Sequence, residues 1–176
     1  MCYVLAMITR RRGDPGVSPY LTGAILDNGV ALVTSAHRHR ANVMTVSFFA
    51  ESSHLPVLVR VAISPSCLTH QLVSDSGWFG LSVLGRGQES LALFCGMRSG
   101  REESKFEAAG LRIQSSPEGV PLLPDCLTTS ACRVVERVEL ADHTLFVGEI
   151  TTSFRQLRYS CREGLLVSDL IGPMTG

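Results

Sequence analysis

Charge is scarce in this 176-residue chain: Asp, Glu, Lys and Arg make up 18% of it, against 45% hydrophobic residues. What charge there is cancels, with 16 basic and 16 acidic side chains. No net field therefore draws the protein to nucleic acid or to an anionic membrane surface, and no basic patch is interleaved with aromatics. Long apolar runs are missing too, and none approaches the roughly 18 residues that a spanning helix needs. The short apolar stretch Met1 to Ile8 is followed by Arg10-Arg11-Arg12, the reverse polarity of a secretory signal. The six cysteines stand at 2, 67, 95, 126, 132 and 161, without Cys-x-x-Cys spacing or a His/Cys cluster of zinc spacing. Scattered reduced thiols in a soluble, cytoplasmic protein are the expectation. Gly85-Arg86-Gly87-Gln88-Glu89-Ser90 begins like a dinucleotide fingerprint but has Ser90 where a third Gly or Ala belongs. There is no Walker lysine pattern, no Gly-x-Ser-x-Gly elbow, no internal repeat and no low-complexity tract.

What remains is the composition of one globular domain long enough to bury its own core. So little charge to cover a surface suggests that part of that surface is hidden against a second subunit. Residues 1–20, with the arginine cluster and Gly13-Asp14-Pro15-Gly16, read as an N-terminal arm, and 21–176 as the domain. Asp27-Asn28-Gly29 is a turn signal, followed by a strand from Val30 to Thr34. The polar Ala36 to Arg40 link makes a hairpin with the next strand, Ala41 to Phe49. That strand is rich in β-branched residues, and Thr45 and Ser47 are two apart, hence on one face.

Val57 to Ile63 reads as a strand running into a helix, with Ser66 as candidate N-cap, an apolar side from Leu68, Leu72 and Val73, and Gly77 as the stop. A helix start offers free N–H groups and partial positive charge, and Ser64, Ser66 and Thr69 add hydroxyls there. A phosphate-bearing ligand between these two stretches is the physical inference. Trp78 to Leu84 reads as a strand and Glu89 to Cys95 as a short helix; Arg101 to Ala109 reads as a helix ending at Gly110, and 114–125 as a proline-bearing loop. Cys132 to Leu140 alternates, placing Val134, Val138 and Leu140 on one face and Arg133, Arg137 and Glu139 on the other, with His143 to Thr152 as its partner. Many short strands with few short helices imply a mainly β protein, a barrel with helical inserts.

Four blocks in order sharpen this reading. Asn42-x-Met44-Thr45-x-Ser47, then Ser64-Pro65-Ser66-x-x-Thr69-His70, then Cys95-Gly96-Met97-Arg98-Ser99-Gly100-Arg101 to Lys105-Phe106, then Asp142-His143 to Gly148-Glu149, together resemble the flavin reductase-like family of FMN-binding split β-barrels. The resemblance implies that FMN is bound and reduced by NAD(P)H, and that the protein is a homodimer with flavin near the subunit interface. It implies a flavin-dependent oxygenase or a protein electron donor as possible partners. A flavoredoxin-like electron carrier without its own nicotinamide site is the alternative.

By the same resemblance Asn42, Met44, Thr45, Val46 and Ser47 run along the flavin, Ser64, Pro65, Ser66 and Thr69 meet its phosphate, and Cys95, Gly96, Arg98, Ser99 and Lys105 close over it. Which basic side chain reaches the phosphate is left open. His143 is either a turn residue satisfied locally or the residue that orients the nicotinamide or protonates the flavin. Hydride transfer is the cofactors' own chemistry, so no acid–base constellation is required. The chain departs from the family's aromatic-rich ending, since Gly164 to Gly172 has no aromatic residue.

Overall fold

The computed structural model describes residues 28–156 and 164–171; the N-terminal arm, Asp27, Cys2 and Cys161 lie outside them. β1 (Ala31–His37) and β2 (Arg40–Val46) form the expected antiparallel hairpin, with Arg38 at the tight turn in the left-handed region at φ 54°. The remaining main strands are β3 (Phe49–His54), β4 (Val57–Ile63), β5 (Trp78–Val83), β8 (Thr128–Glu139) and β9 (Thr144–Arg155). They make one seven-stranded sheet in the order β2-β1-β5-β8-β9-β4-β3. A separate two-stranded hairpin, β6 (Gln114–Ser115) and β7 (Pro121–Leu122), occupies part of the expected loop 114–125.

The chain itself closes this sheet. β2 is one edge and β3 the other, yet only Ser47 and Phe48 separate them. The two edges must therefore meet there, and β2 also lies against β4. The Ala62 N–H donates to Phe48 O at 2.9 Å, which extends the β3–β4 ladder up to the crossing. A single strand from Ala41 to Phe49, as the sequence suggested, is thus incorrect. The chain steps from one edge of the barrel to the other at Ser47–Phe48, and Phe49 already belongs to the next strand.

The inside of the barrel is filled by Ala31, Val33, Met44, Val46, Val59, Val61, Ile63, Phe79, Leu81, Cys132 and Phe146. β1 is buried on both faces because alternate residues point the other way, where Leu32 joins Val30, Val43, Leu84, Ala92, Cys95 and Phe106 in a second core. That outer core lies under α2 (Glu89–Met97) and α3 (Lys105–Ala108), while α1 (Leu68–Ser76) packs against β1 and β2. α1 stops at Gly77 as expected, in the left-handed conformation at φ 72° with its N–H returning to Val73 O.

The non-aromatic chain end also enters the outer core. Leu165 bonds Val30 and Leu84 through its backbone, and Leu165 and Val167 are buried beneath the short α4 (Val167–Ile171).

Two further expectations are corrected. Arg101 to Ser104 is not helical: the N–H groups of Glu102 and Glu103 both return to Ser99 O, winding a local turn, and only Lys105–Ala108 continues as helix. The faces of β8 are also reversed beyond its middle. A bulge between Val134 and Glu136 inserts one residue, so the period-2 alternation changes sign there. Val134 packs on the inner core, but Val138 and Leu140 emerge 39% and 51% exposed. Arg137, on the face read as solvated, instead lies over the buried Phe146 ring, 5.8 Å from its centroid.

Candidate functional site

A groove opens between β2, the start of α1 and the segment leaving α2. It is lined by Asn42, Met44, Ser66, Cys67, Leu68, Cys95, Gly96, Met97, Arg98, Ser99, Gly100, Arg101 and Lys105. Residues as far apart in the chain as Asn42 and Lys105 meet there because β2 lies alongside both α1 and α2. The cavity is about 100 Å³, well below the roughly 300–1,000 Å³ of pockets that enclose a small organic ligand.

Of the residues singled out in the sequence, Asn42, Met44, Ser66, Cys95, Gly96, Arg98, Ser99 and Lys105 come together in this groove. Thr45, Val46, Ser47, Ser64, Pro65, Thr69 and His143 are not in its lining. Thr45 turns to the helical side and donates to Ala92 O of α2, and Val46 fills the barrel. Ser47 lies at the link between the two sheet edges. Thr69 is fully buried and accepts a 2.9 Å hydrogen bond from Asn42 Nδ2, so it holds the groove's wall.

Ser66 does not cap α1. The N-cap is Cys67, which makes no side-chain cap bond, and Ser66 Oγ instead pairs with Ser64 Oγ at 2.9 Å on the exposed turn before the helix. The Cys67 N–H is taken by Ser64 O at 3.0 Å, and this turn displaces the helix start by one residue.

The groove's cations differ in their engagements. Lys105 is 3% exposed and donates from Nζ to Cys95 O at 2.8 Å, in the last turn of α2, where backbone carbonyls lack helical partners. Arg98 pairs with Glu103 at 2.9 Å and lies over Phe94, 5.0 Å from the ring centroid. Arg101 contributes a third cation to the same lining. Burial pushes the Cys95 thiol up to about 11, with Lys105 pulling the other way, so it stays protonated at neutral pH.

One buried polar atom in the wall stands out. Asn42 is 4% exposed, and its Oδ1 has no hydrogen-bond partner among the described residues. An acceptor kept dry and unpaired costs free energy and is suited to a donor brought by a ligand. With Met44, Leu68 and Met97 offering apolar surface and Arg98, Arg101 and Lys105 offering positive charge, the lining fits an anionic ligand with a flat, partly apolar body and N–H or O–H donors. FMN is such a molecule.

The second polar cluster lies at the start of β9, where it leaves the turn from β8. His143 is 8% exposed; its Nδ1 is 2.9 Å from Asp142 Oδ1, and its ring meets the Phe48 ring edge-on with centroids 5.6 Å apart. Nearby, His70 Nε2 is 2.8 Å from Thr144 Oγ1, and that hydroxyl donates to Glu139 Oε2, also at 2.8 Å. The Thr144 proton is thus committed, which places the His70 proton on Nε2. His70 titrates below its ordinary value, chiefly because burial disfavours its cation, with Arg137 adding repulsion and Glu139 opposing.

Sequence reasoning passed over Cys67, Leu68, Met97, Gly100 and Arg101 as groove residues. All five fall within or beside the motif blocks, but which of their side chains turn inward depends on how α1 and the turn after α2 sit against β2. Among the described residues no cluster of His, Cys, Asp or Glu could hold a metal ion, and no helix is long and apolar enough to cross a membrane.

Comparison with known proteins places these features in a wider set. The model of the flavin reductase like domain matches residues 23–156. A protein of Archaeoglobus fulgidus is 38% identical over 112 residues, 63% of each chain, so the match spans less than two thirds of that relative. An NADH-dependent flavin reductase of Rhodococcus is 33% identical over 144 residues, covering 78% of this chain and 77% of the relative. Among solved structures, the NADH:FAD oxidoreductase of Streptomyces globisporus, in complex with NAD and FAD fragments, superposes with a TM-score of 0.75 at 27% identity, over 92% of this chain and 94% of its own. An FMN-binding protein of Thermus thermophilus does so with a TM-score of 0.70 at 28% identity, over 83% and 78%. The fold is thus the FMN-binding split barrel, mainly β with short helices.

Proposed function

The chain belongs to the flavin reductase-like family, and we propose that it is an FMN-binding, NAD(P)H-dependent flavin reductase. The observation that carries this reading is the groove beside β2, in which a buried unpaired amide oxygen, three cations and an apolar wall converge. The names of the Rhodococcus and Streptomyces globisporus relatives support the nicotinamide reductant.

In this reading Asn42, Met44, Cys95 and Gly96 face the flavin and its ribityl chain. Ser66, Ser99, Arg98 and Arg101 meet the phosphate, where paired hydroxyls and guanidinium groups suit an anion. Ser64 and Pro65 shape the turn that presents Ser66, Thr69 holds the Asn42 amide, and Lys105 ties the end of α2. Thr45, Val46 and Ser47 act through the strand's backbone. His143 is assigned to the nicotinamide side, oriented by Asp142. FMN, when bound, supplies the hydride acceptor; the protein orients the two rings against each other and excludes water from the transfer.

A homodimer completes the site. The cavity alone is too small to enclose a flavin, so a ligand of that size extends past the rim, where a second copy would cover it. The exposed Val138 and Leu140 give the barrel's outer face an apolar surface suited to such a contact. A flavin-dependent oxygenase that receives reduced flavin, and a cytoplasmic location, complete the proposal.

The test is the visible spectrum of the purified protein with FMN under anaerobic conditions, before and after NADH or NADPH. Bleaching of the oxidised band, catalysed by the protein, is expected. A bound flavin that stays oxidised would shift the reading to an electron carrier, and flavin that dialyses away entirely would overturn the groove assignment.

A further inference from the structure

The unpaired Asn42 oxygen is covered by glycine. A Cβ placed on Gly100 would lie 2.0 Å from Asn42 Oδ1, and nothing in that space but a hydrogen fits. Gly100 is not in the left-handed region, so its backbone does not require glycine; the close approach to Asn42 does. The turn that carries Gly100 is bound mostly to itself. Ser99 O accepts from Glu102 and Glu103 N–H at 3.2 and 3.4 Å, Ser99 Oγ accepts from Arg101 N–H at 3.3 Å, and Arg98 pairs with Glu103. Its link to α2 runs through Phe94, whose carbonyl accepts the Arg98 N–H at 3.3 Å and whose ring lies under the guanidinium.

Three observations converge: a cavity of only about 100 Å³, an acceptor that no group among the described residues satisfies, and a self-contained turn pressed on that acceptor. We propose that Asn42 reads a hydrogen-bond donor of the flavin, and that the Arg98–Ser104 turn covers this amide in the ligand-free protein and lifts to admit the ligand. The inference rests on the flavin reading and specifies how the groove opens. The covered form carries the penalty of a buried, unpaired carbonyl, which keeps it from being too stable to open. Flavin binding relieves that penalty by supplying the missing donor, and the measured affinity is the intrinsic one reduced by the fraction of protein that is open.

Two substitutions act in opposite directions. Gly100→Ala places a methyl group where the Asn42 amide sits in the covered form, so it disfavours that form alone. Amide hydrogen exchange at 99–104 in the FMN-free protein is expected to speed up, and FMN, followed by flavin fluorescence quenching, to associate faster and bind about threefold tighter or more. Asn42→Leu keeps the side chain's size but removes the acceptor, together with the Nδ2 donor to Thr69; exchange at 99–104 should be unchanged or slower and FMN affinity should fall about tenfold or more. An Asn42→Leu affinity within about twofold of the native value overturns the inference. So does a Gly100→Ala protein whose exchange and FMN association match the native protein, and this variant decides the matter if Asn42→Leu does not fold. Native protein that binds no FMN overturns the flavin reading instead, and the exchange comparison in FMN-free protein still tests the cover.

Discussion

Asn42 and Thr69 are 27 positions apart and share a buried 2.9 Å hydrogen bond, from the Asn42 Nδ2 to the Thr69 hydroxyl. It pins the edge of β2 to the first turn of α1. The next residue along, His70, turns away to the Thr144–Glu139 pair, where β8 ends and β9 begins. Two adjacent residues of one helix therefore fix the groove wall and the hairpin end that precedes and follows His143.

Thr69→Val should show the first of these ties. Valine fits the same space but offers no acceptor, leaving the Asn42 amide with both its donor and its acceptor unpaired. A loss of about 1–3 kcal/mol in urea unfolding is expected, with weaker FMN binding because the amide is no longer oriented. Native stability together with native FMN affinity would show that the bond contributes nothing.

His70 makes stability depend on pH in a stated direction. Its folded-state pKa lies below the ordinary 6.5, so the unfolded chain takes up a proton at higher pH than the folded one. The contribution of neutral His70 is complete above about pH 6.5 and is lost as pH falls below it, down to the folded pKa. Thermal unfolding between pH 8 and pH 5 should fall more steeply for the native protein than for His70→Gln. Equal slopes would mean that His70 titrates as it does in the unfolded chain.

The thiols divide sharply. Burial pushes Cys95 up to about 11 and Cys126 and Cys132 up to about 12, whereas Cys67 is only partly buried and lies in the groove wall. Among these four, iodoacetamide at neutral pH should label Cys67 first, as read by peptide mapping, and saturating FMN should slow that labelling. Labelling of Cys95 as fast as Cys67 would contradict the packing of α2, and no protection by FMN would count against the groove as its seat.

Gly148 tests the barrel interior. A Cβ there would come within 2.6 Å of the Phe79 ring and 2.9 Å of Cys132 Cβ, and Phe79 is fully buried among the residues of the inner core. Gly148→Ala should destabilise by about 1–3 kcal/mol, measured by urea unfolding. A neutral substitution would show that Phe79 can shift without loss.

Much of the fold was legible in local chemistry. The β1–β2 hairpin, the strand at Trp78, the Gly77 stop and the paired long strands near the end of the chain follow from β-branched alternation and turn residues. Other features were not. The break at Ser47–Phe48 carries no proline or glycine, because the chain is not turning there but crossing between two sheet edges that lie together only once the barrel closes. The reversal of β8 hides in a bulge at Val135, and one inserted residue leaves no mark in an alternating sequence while exchanging every side chain after it.

The sequence by itself determined the strands, the family resemblance and the stretches that meet at the groove, because these depend on residue types at fixed spacing. Tertiary structure alone decided which members face one another. Thr69, expected at the phosphate, is the residue that holds the Asn42 amide; Ser66 was expected to cap α1 and instead pairs with Ser64; Gly100, unremarked as a site residue, covers the Asn42 oxygen that has no partner among the described residues. A hydroxyl or an amide can serve several partners equally well, and only the distances set by packing β2 against two helices choose among them.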